Sequence, residues 1–222
     1  GGYYTTEYTS GMQQSAHPWT ENRGMGFSYG YNRAEGLNDY RTERELDLML
    51  VDIVSRGGNL LLDIGPRADG RIPTIMGERL LQIGKWLTPN GDAIYGTHAL
   101  ARTRQWSHGT VPRMEEKEFR ADYDITKMVD TPPSGYARVD AFFTAKDDAI
   151  YAMLPRWPEK TLVLDGFGAG SASHVTILET GEGLKFNATG KQIGIELPQQ
   201  SRTKLPERQL YTLKLSGVKQ LS

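Results

Sequence analysis

Apolar positions recur at intervals of three and four in two stretches of the first hundred residues, and alternate in short runs after that. In the first stretch Leu46, Met49, Leu50, Ile53 and Val54 line one helical face. Thr42, with Glu45 three positions later, has the spacing of a capping box and marks where that helix begins. In the second stretch Met76, Leu80, Ile83 and Leu87 form a stripe that starts after Pro73 and Thr74 and stops at Pro89, Asn90 and Gly91. Between them, Ser55 to Gly70 reads as a helix end, an apolar strand and a polar turn. Gly57 and Gly58 can take the left-handed geometry that stops a helix, and Asn59 to Ile64 is too apolar for a wet face. A parallel strand buried on both sides is predicted there. The aromatic run Gly26 to Asn32 is short enough to be the preceding strand, and Tyr3 to Tyr8 reads as loop. Helix, strand, helix in this order points to a β/α barrel or a layered α/β fold.

The pattern changes near Gly96. Ala137–Thr144, Ala149–Leu154, Thr161–Leu164, Val175–Glu179, Gln192–Leu197 and Leu210–Leu215 are short strand candidates. Turn clusters separate them at Lys146-Asp147-Asp148, Gly166 to Gly170 and Gly181 to Gly183, spacing that predicts an antiparallel β-sandwich. The stretch Glu115 to Gly135, charged and then rich in proline, reads as a surface excursion or mobile segment.

Composition narrows the chemistry. A chain of 222 residues, 38% apolar and 24% charged, suits one large or two modest globular domains. A formal charge of −1 gives no global reason to expect nucleic acid or an anionic membrane as partner. Without cysteine there is no disulfide framework and no thiolate nucleophile. His17, His98, His108 and His174 are scattered and match no ligand spacing, so neither metal nor cofactor is expected. No apolar run is long enough to span a bilayer. The first residues lack the basic start and apolar middle of a signal peptide, and a start without methionine, on the loop-like Tyr3 to Tyr8, suggests that further sequence belongs upstream.

Three blocks then carry a resemblance: RGMGFSYGYN (23–32), VSRGGNLLLDIGPRADGRIP (54–73) and ERLLQIGKWLTPNGDAIYGT (78–97). In order and spacing they resemble the C-terminal part of α-L-fucosidases of glycoside hydrolase family 29. The resemblance implies the fold class, α/β plus all-β: residues 1–97 as the last strands and helices of a (β/α)8-like barrel, and residues 98–222 as an antiparallel β-sandwich. It also implies retaining hydrolysis of terminal α-L-fucose by two carboxylates about 5 Å apart, one a nucleophile and one a proton donor. The family's nucleophilic aspartate lies in a Trp-Asn-Asp type segment, which this chain lacks, as it lacks the histidine-rich sugar pocket. A missing N-terminal barrel portion or companion chain is therefore expected as partner, with a fucosylated oligosaccharide or glycoconjugate as substrate. Nothing in the sequence gives a compartment; the resemblance allows a secreted, periplasmic or lysosome-like one.

By the same resemblance Thr5-Thr6-Glu7-Tyr8, upstream of Trp19 and Arg23, matches a Thr-x-Glu-Tyr pattern whose glutamate is the general acid/base, so Glu7 is the catalytic candidate. Taken alone, Glu7 is a solvated acidic residue near a chain end. Tyr29 matches the position where the family sets an aromatic ring against the fucose ring and its C6 methyl; core packing is the alternative. Trp19 is a candidate to border the sugar site or to anchor packing, and Arg23 to pair with a site carboxylate or form a structural ion pair. Glu21 departs from the family pattern, which places an acid directly after the tryptophan where Thr20 stands. Asp63 falls near the C-terminal end of a barrel strand, the face where barrel sites are built, though many family members carry asparagine there. His17 follows Glu7 in a loop and reads as a surface residue within reach of an aglycone sugar.

Two readings stay open at this point. One is the C-terminal portion of an α-L-fucosidase, carrying the acid/base without the nucleophile. The other is a non-catalytic carbohydrate-binding or structural β-sandwich fragment.

Overall fold

The computed structural model describes residues 2–8, 15, 17–112, 125–205 and 210–221. Strands β1 (Tyr4–Glu7), β2 (Trp19–Gly24) and β3 (Gly58–Asp63) form a parallel sheet in that order. Helix α1 (Glu43–Ser55) links β2 to β3, and α2 (Thr74–Asn90) follows β3. The capping box is made as the spacing predicts: the Thr42 N–H donates to Glu45 Oε2 at 2.6 Å, and the Glu45 N–H to Thr42 Oγ1 at 3.3 Å.

Helix α1 is buried on two faces rather than one. Leu46, Met49 and Ile53 pack with Trp19, Met25, Tyr40 and Met76 over the parallel sheet. Leu48 and Val51 turn the other way and join Trp86, Phe142, Tyr151 and Met153 against the β-sandwich. On α2 the expected stripe needs a correction: Leu80 is exposed, and Trp86 is fully buried in its stead. The Trp86 indole N–H donates to the Leu210 carbonyl at 3.1 Å, which turns that helix face toward the sandwich.

The remaining chain supplies β4 (Arg104–Trp106), α3 (Ile125–Val129), β5 (Val139–Lys146), β6 (Ala149–Leu154), β7 (Thr161–Asp165), β8 (Phe167–Ile177), β9 (Gly183–Leu184), β10 (Phe186–Thr189), β11 (Gln192–Glu196), α4 (Gln199–Thr203) and β12 (Tyr211–Gln220). A six-stranded antiparallel sheet, β4-β5-β6-β12-β8-β9, faces a three-stranded one, β10-β11-β7. Phe143, Ala152, Leu154, Leu164, Ile193, Ile195 and Leu213 fill the space between them, so the expected sandwich is present.

Several local expectations are overturned in whole or in part. Tyr4–Glu7 is a strand, paired in parallel with β2 and extended by the Tyr8 N–H donating to the Asn22 carbonyl at 3.4 Å. Gly26 to Asn32 is loop, and the strand before it is Trp19–Gly24, whose buried Glu21 and Arg23 hid it from a hydrophobicity pattern. Strand β3 is covered on one face only: Leu60 and Leu62 pack on the helical side, while Asn59 and Leu61 are exposed. Within Glu115 to Gly135, residues 115–124 lie outside the described residues, and Ile125–Val129 is a helix with both end residues buried. In the sandwich, β8 and β12 outrun their predicted spans. Gly168 to Ser173 is too polar and glycine-rich to alternate, and β12 continues past a bulge at Gly217, whose φ of 66° suits glycine.

Candidate functional site

Side chains alternate across the parallel sheet, and the register sets which share a face. Thr6, Glu21 and Leu60 lie across from one another, as do Glu7, Asn22 and Leu61 one residue further on. The face bearing Thr6, Glu21, Arg23, Leu60 and Leu62 is the helical side. The opposite face carries Thr5, Glu7, Thr20, Asn22, Asn59, Leu61 and Asp63; Thr20 is buried against the Tyr3 hydroxyl and Asn22 and Asp63 are half-buried, while Thr5, Glu7, Asn59 and Leu61 are exposed. Glu7 and Asp63 stand at the C-terminal ends of β1 and β3 on that face, with Asn22 between them. The Asn22 side-chain amide donates to the Thr6 carbonyl at 3.0 Å, which ties β1 to β2 just before Glu7.

The loop after β2 brings Tyr29 over this edge. The Met25 N–H donates to the Asp63 carbonyl at 3.2 Å, and the Arg41 N–H to the Met25 carbonyl at 3.0 Å. Within the loop one Glu35 oxygen accepts from the Ser28 N–H at 2.6 Å, and the Asn32 amide donates to Ser28 Oγ at 2.9 Å. Gly65 completes the seat. A Cβ there would stand 2.0 Å from the Tyr31 nitrogen and 2.4 Å from the Gly30 carbonyl carbon, so only glycine lets the two backbones meet.

Tyr29 is 39% exposed, and its hydroxyl is held above the usual tyrosine range. Partial burial is the main cause, and the negative charges of Glu7 and Asp63 follow. Its ring meets the Tyr8 ring edge to face, with centroids 5.9 Å apart. The structure thus brings Glu7, Tyr8, Tyr29 and Asp63 together at one sheet edge.

Trp19 and Arg23 are placed differently. Trp19 is 1% exposed, packed in the core beneath the sheet with the Arg56 guanidinium over its ring. A Cβ on Gly58 would run into that ring at 2.4 Å. This corrects the expectation that Trp19 borders a sugar; it is the packing anchor. Arg23 is also buried, and its Nε lies 2.8 Å from Glu21 Oε1. Glu21 in turn accepts from the Thr6 hydroxyl. Arg23 also lies over the Tyr8 ring, 5.4 Å from its Cζ to the ring centroid. Of the four residues the sequence singled out as site candidates, Glu7 and Tyr29 lie exposed at the same edge, while Trp19 and Arg23 are buried below it. His17 meets Tyr4 edge to face, ring centroids 5.4 Å apart, at the opposite end of β1 from Glu7.

Tyr8 and Asn22 were not singled out by sequence reasoning. The signal for Tyr8 is its place directly after the candidate acid, inside the same Thr-x-Glu-Tyr pattern. Asn22 is visible only once Trp19–Gly24 is recognised as a strand.

The family described as Alpha-L-fucosidase matches residues 1–92, and that described as Alpha-L-fucosidase C-terminal domain matches residues 136–216. Among relatives, the alpha-L-fucosidase of Branchiostoma floridae is 34% identical over 98% of this chain and 43% of its own length. The tissue alpha-L-fucosidase of Homo sapiens is 34% identical over 99% of this chain and 41% of its own length. Among solved structures, the Thermotoga maritima alpha-fucosidase in complex with a mechanism-based inhibitor superposes with a TM-score of 0.71 at 31% identity, covering 96% of this chain and 42% of that one. The chain spans about two fifths of the length of the relatives it matches.

Proposed function

Because the chain belongs to the α-L-fucosidase family, we propose that it forms part of a retaining glycosidase that removes terminal α-L-fucose from glycans, with Glu7 as general acid/base. The observation that carries this reading is the position of Glu7 at the C-terminal edge of a parallel sheet, with the Tyr29 ring brought to the same edge against Tyr8, the next residue; this is the edge at which barrel enzymes assemble their sites. In this reading residues 1–97 are the last strands and helices of a (β/α)8-like barrel, residues 98–222 are the sandwich that buttresses it, and the nucleophilic carboxylate comes from residues beyond these 222.

The chemistry then runs in two steps. Glu7 gives its proton to the glycosidic oxygen as the bond from that oxygen to the anomeric carbon breaks and the nucleophilic carboxylate bonds to that carbon. The Glu7 carboxylate then takes a proton from water as the water oxygen attacks the anomeric carbon and the ester bond to the nucleophile breaks. Tyr29 offers its ring to the C6 methyl of the fucose, an apolar patch suited to an aromatic face.

In a complete polypeptide carrying these residues, Glu7→Gln is expected to lower kcat/KM on phenyl α-L-fucoside by about 100-fold or more, the usual worth of general acid catalysis. Proton NMR of the first product should show the α-anomer. Undiminished hydrolysis by Glu7→Gln, or initial release of the β-anomer, would falsify the reading. The 222-residue chain by itself is expected to be inactive on aryl fucosides, and turnover by the rigorously purified chain that disappears in Glu7→Gln would refute that part.

A further inference from the structure

A left-handed turn and at least four contacts converge on Tyr8, the residue next to Glu7. Its φ of 47° lies in the left-handed region, uncommon for a residue with a side chain, and turns the chain back over the sheet edge. Its N–H donates to the Asn22 carbonyl at 3.4 Å, which continues the β1–β2 pairing one residue past Glu7. Its hydroxyl accepts from the Gly24 N–H at 3.2 Å. Its ring lies under the Arg23 guanidinium, at 5.4 Å, and meets the Tyr29 ring edge to face at 5.9 Å. Gly24 has no side chain where this happens: a Cβ there would sit 2.6 Å from both the Tyr8 hydroxyl and the Ser28 carbonyl.

From this arrangement we infer that Tyr8 is a positioning residue, a clasp that sets the Glu7 carboxyl and the Tyr29 ring relative to one another. The inference rests on Glu7 being the general acid/base. Glu7 is exposed, so its own surroundings leave its carboxyl several orientations. The β1–β2 pairing holds its backbone opposite Asn22; the left-handed turn at the next residue sets where the chain goes from there, and the Tyr8 side chain, anchored to β2 through Gly24 and Arg23, holds that turn. The same ring supports Tyr29, so the group that handles the proton and the surface that receives the sugar share one strut. Tyr8 need not touch substrate to do this, and it is not a catalytic residue.

A leaving-group comparison in the complete polypeptide separates this role from plain structural support. Phenyl fucoside needs the acid, whereas a dinitrophenyl fucoside leaves without it, so misplaced acid should cost kcat/KM only on the former. Tyr8→Leu is expected to lower kcat/KM on phenyl fucoside by roughly 100-fold, the scale of an ångström-size misplacement, and to leave the dinitrophenyl substrate nearly unchanged. Azide, which attacks the glycosyl-enzyme without help from a base, should raise kcat for the variant on the activated substrate. Tyr8→Phe keeps the ring and loses the hydroxyl that accepts from Gly24, so about a five-fold loss confined to phenyl fucoside is expected, and this variant decides the matter if Tyr8→Leu does not fold. Equal losses on both substrates, or no loss in either variant, overturn the clasp. Glu7→Gln serves as the separate control: if it shows no leaving-group dependence, it is the acid/base assignment that fails.

Discussion

Asp52, in the last turns of α1, and Arg104, at the head of β4, are joined across the two halves of the chain by a buried bond of 2.7 Å from the guanidinium to Oδ1. The other Asp52 oxygen accepts from Arg56 at 2.7 Å, so one carboxylate holds two arginines, all three at 5% exposure or less. Arg104 also lies over the Trp106 and Phe142 rings, at 5.6 and 5.7 Å. This knot sits where the helical layer meets the sandwich, and it fixes how one docks on the other.

Removing one member of a buried ion pair leaves a charge without its partner, which typically costs about 3–5 kcal/mol. Asp52→Ala strands two arginines and is expected to fall in that range; Arg104→Met, which leaves the Asp52–Arg56 pair and keeps an apolar stem over Phe142, should cost less. Urea denaturation checks the order: the midpoint should drop further for Asp52→Ala, with the slope unchanged in both.

Gly65→Ala should break the seat of the Tyr29 loop without touching any polar group of the site. Its Cβ would meet backbone atoms of Gly30 and Tyr31 that cannot rotate away, so the loop must shift or the fold must absorb about 1–3 kcal/mol of overpacking. Loss of fucosidase activity in the complete polypeptide, with near-native circular dichroism and a modest fall in Tm, is the expected result. Retention of full activity would show that Tyr29 does not depend on this contact.

The Tyr29 hydroxyl gives a spectroscopic test of the geometry. Its pKa stands above the ordinary 10.0, first through burial and then through Glu7 and Asp63. Because the fold favours the neutral phenol, the stability tied to this group is whole below pH 10 and is lost as pH rises through the raised value. In the difference spectrum between the parent and Tyr29→Phe, tyrosinate absorbance should appear later than for a free tyrosine. Glu7→Gln should move it part of the way back and Asp63→Asn a smaller part, with the contribution of burial remaining. No movement in Glu7→Gln would mean that the two side chains are not neighbours.

How much of this was legible beforehand depends on what each segment buries. The start of helix α1 could be read to the residue, because Thr42 and Glu45 signal it locally, and its apolar spacing is regular. Its second buried face, Leu48 and Val51, was not readable, because what it packs against lies about a hundred residues away in β5 and β6. Strand β2 was missed for a related reason. Its charged residues are buried as a pair, Glu21 with Arg23, and a pattern of hydrophobicity counts both as surface. The aromatic alternation at Phe27, Tyr29 and Tyr31 mimicked a strand, yet Glu35 draws that segment into a loop by accepting from the Ser28 N–H, a contact seven residues apart that periodicity does not see. At the site itself the family motif gave Glu7 and Tyr29, and only the fold could show that Trp19 and Arg23 lie beneath them.

The exposed side of the sheet makes Leu61 a gauge of what else the complete polypeptide contains. Leu61 is 49% exposed here, on the face shared by Glu7 and Asp63, although its neighbours Leu60 and Leu62 are packed against the helices. An apolar residue in the middle of a parallel strand is ordinarily covered on both sides, since such sheets are buried. If the remaining barrel strands close over this face, Leu61 becomes interior, and burying a leucine side chain is worth about 1.5–3 kcal/mol. Leu61→Asn should therefore change the stability of the 222-residue chain by less than about 0.5 kcal/mol, the range of an ordinary surface substitution. In the complete polypeptide the same change should cost several times as much and lower Tm by several degrees. Measured side by side in urea, equal small effects in both would show that nothing covers this face, and the barrel reading of residues 1–97 would fall with it.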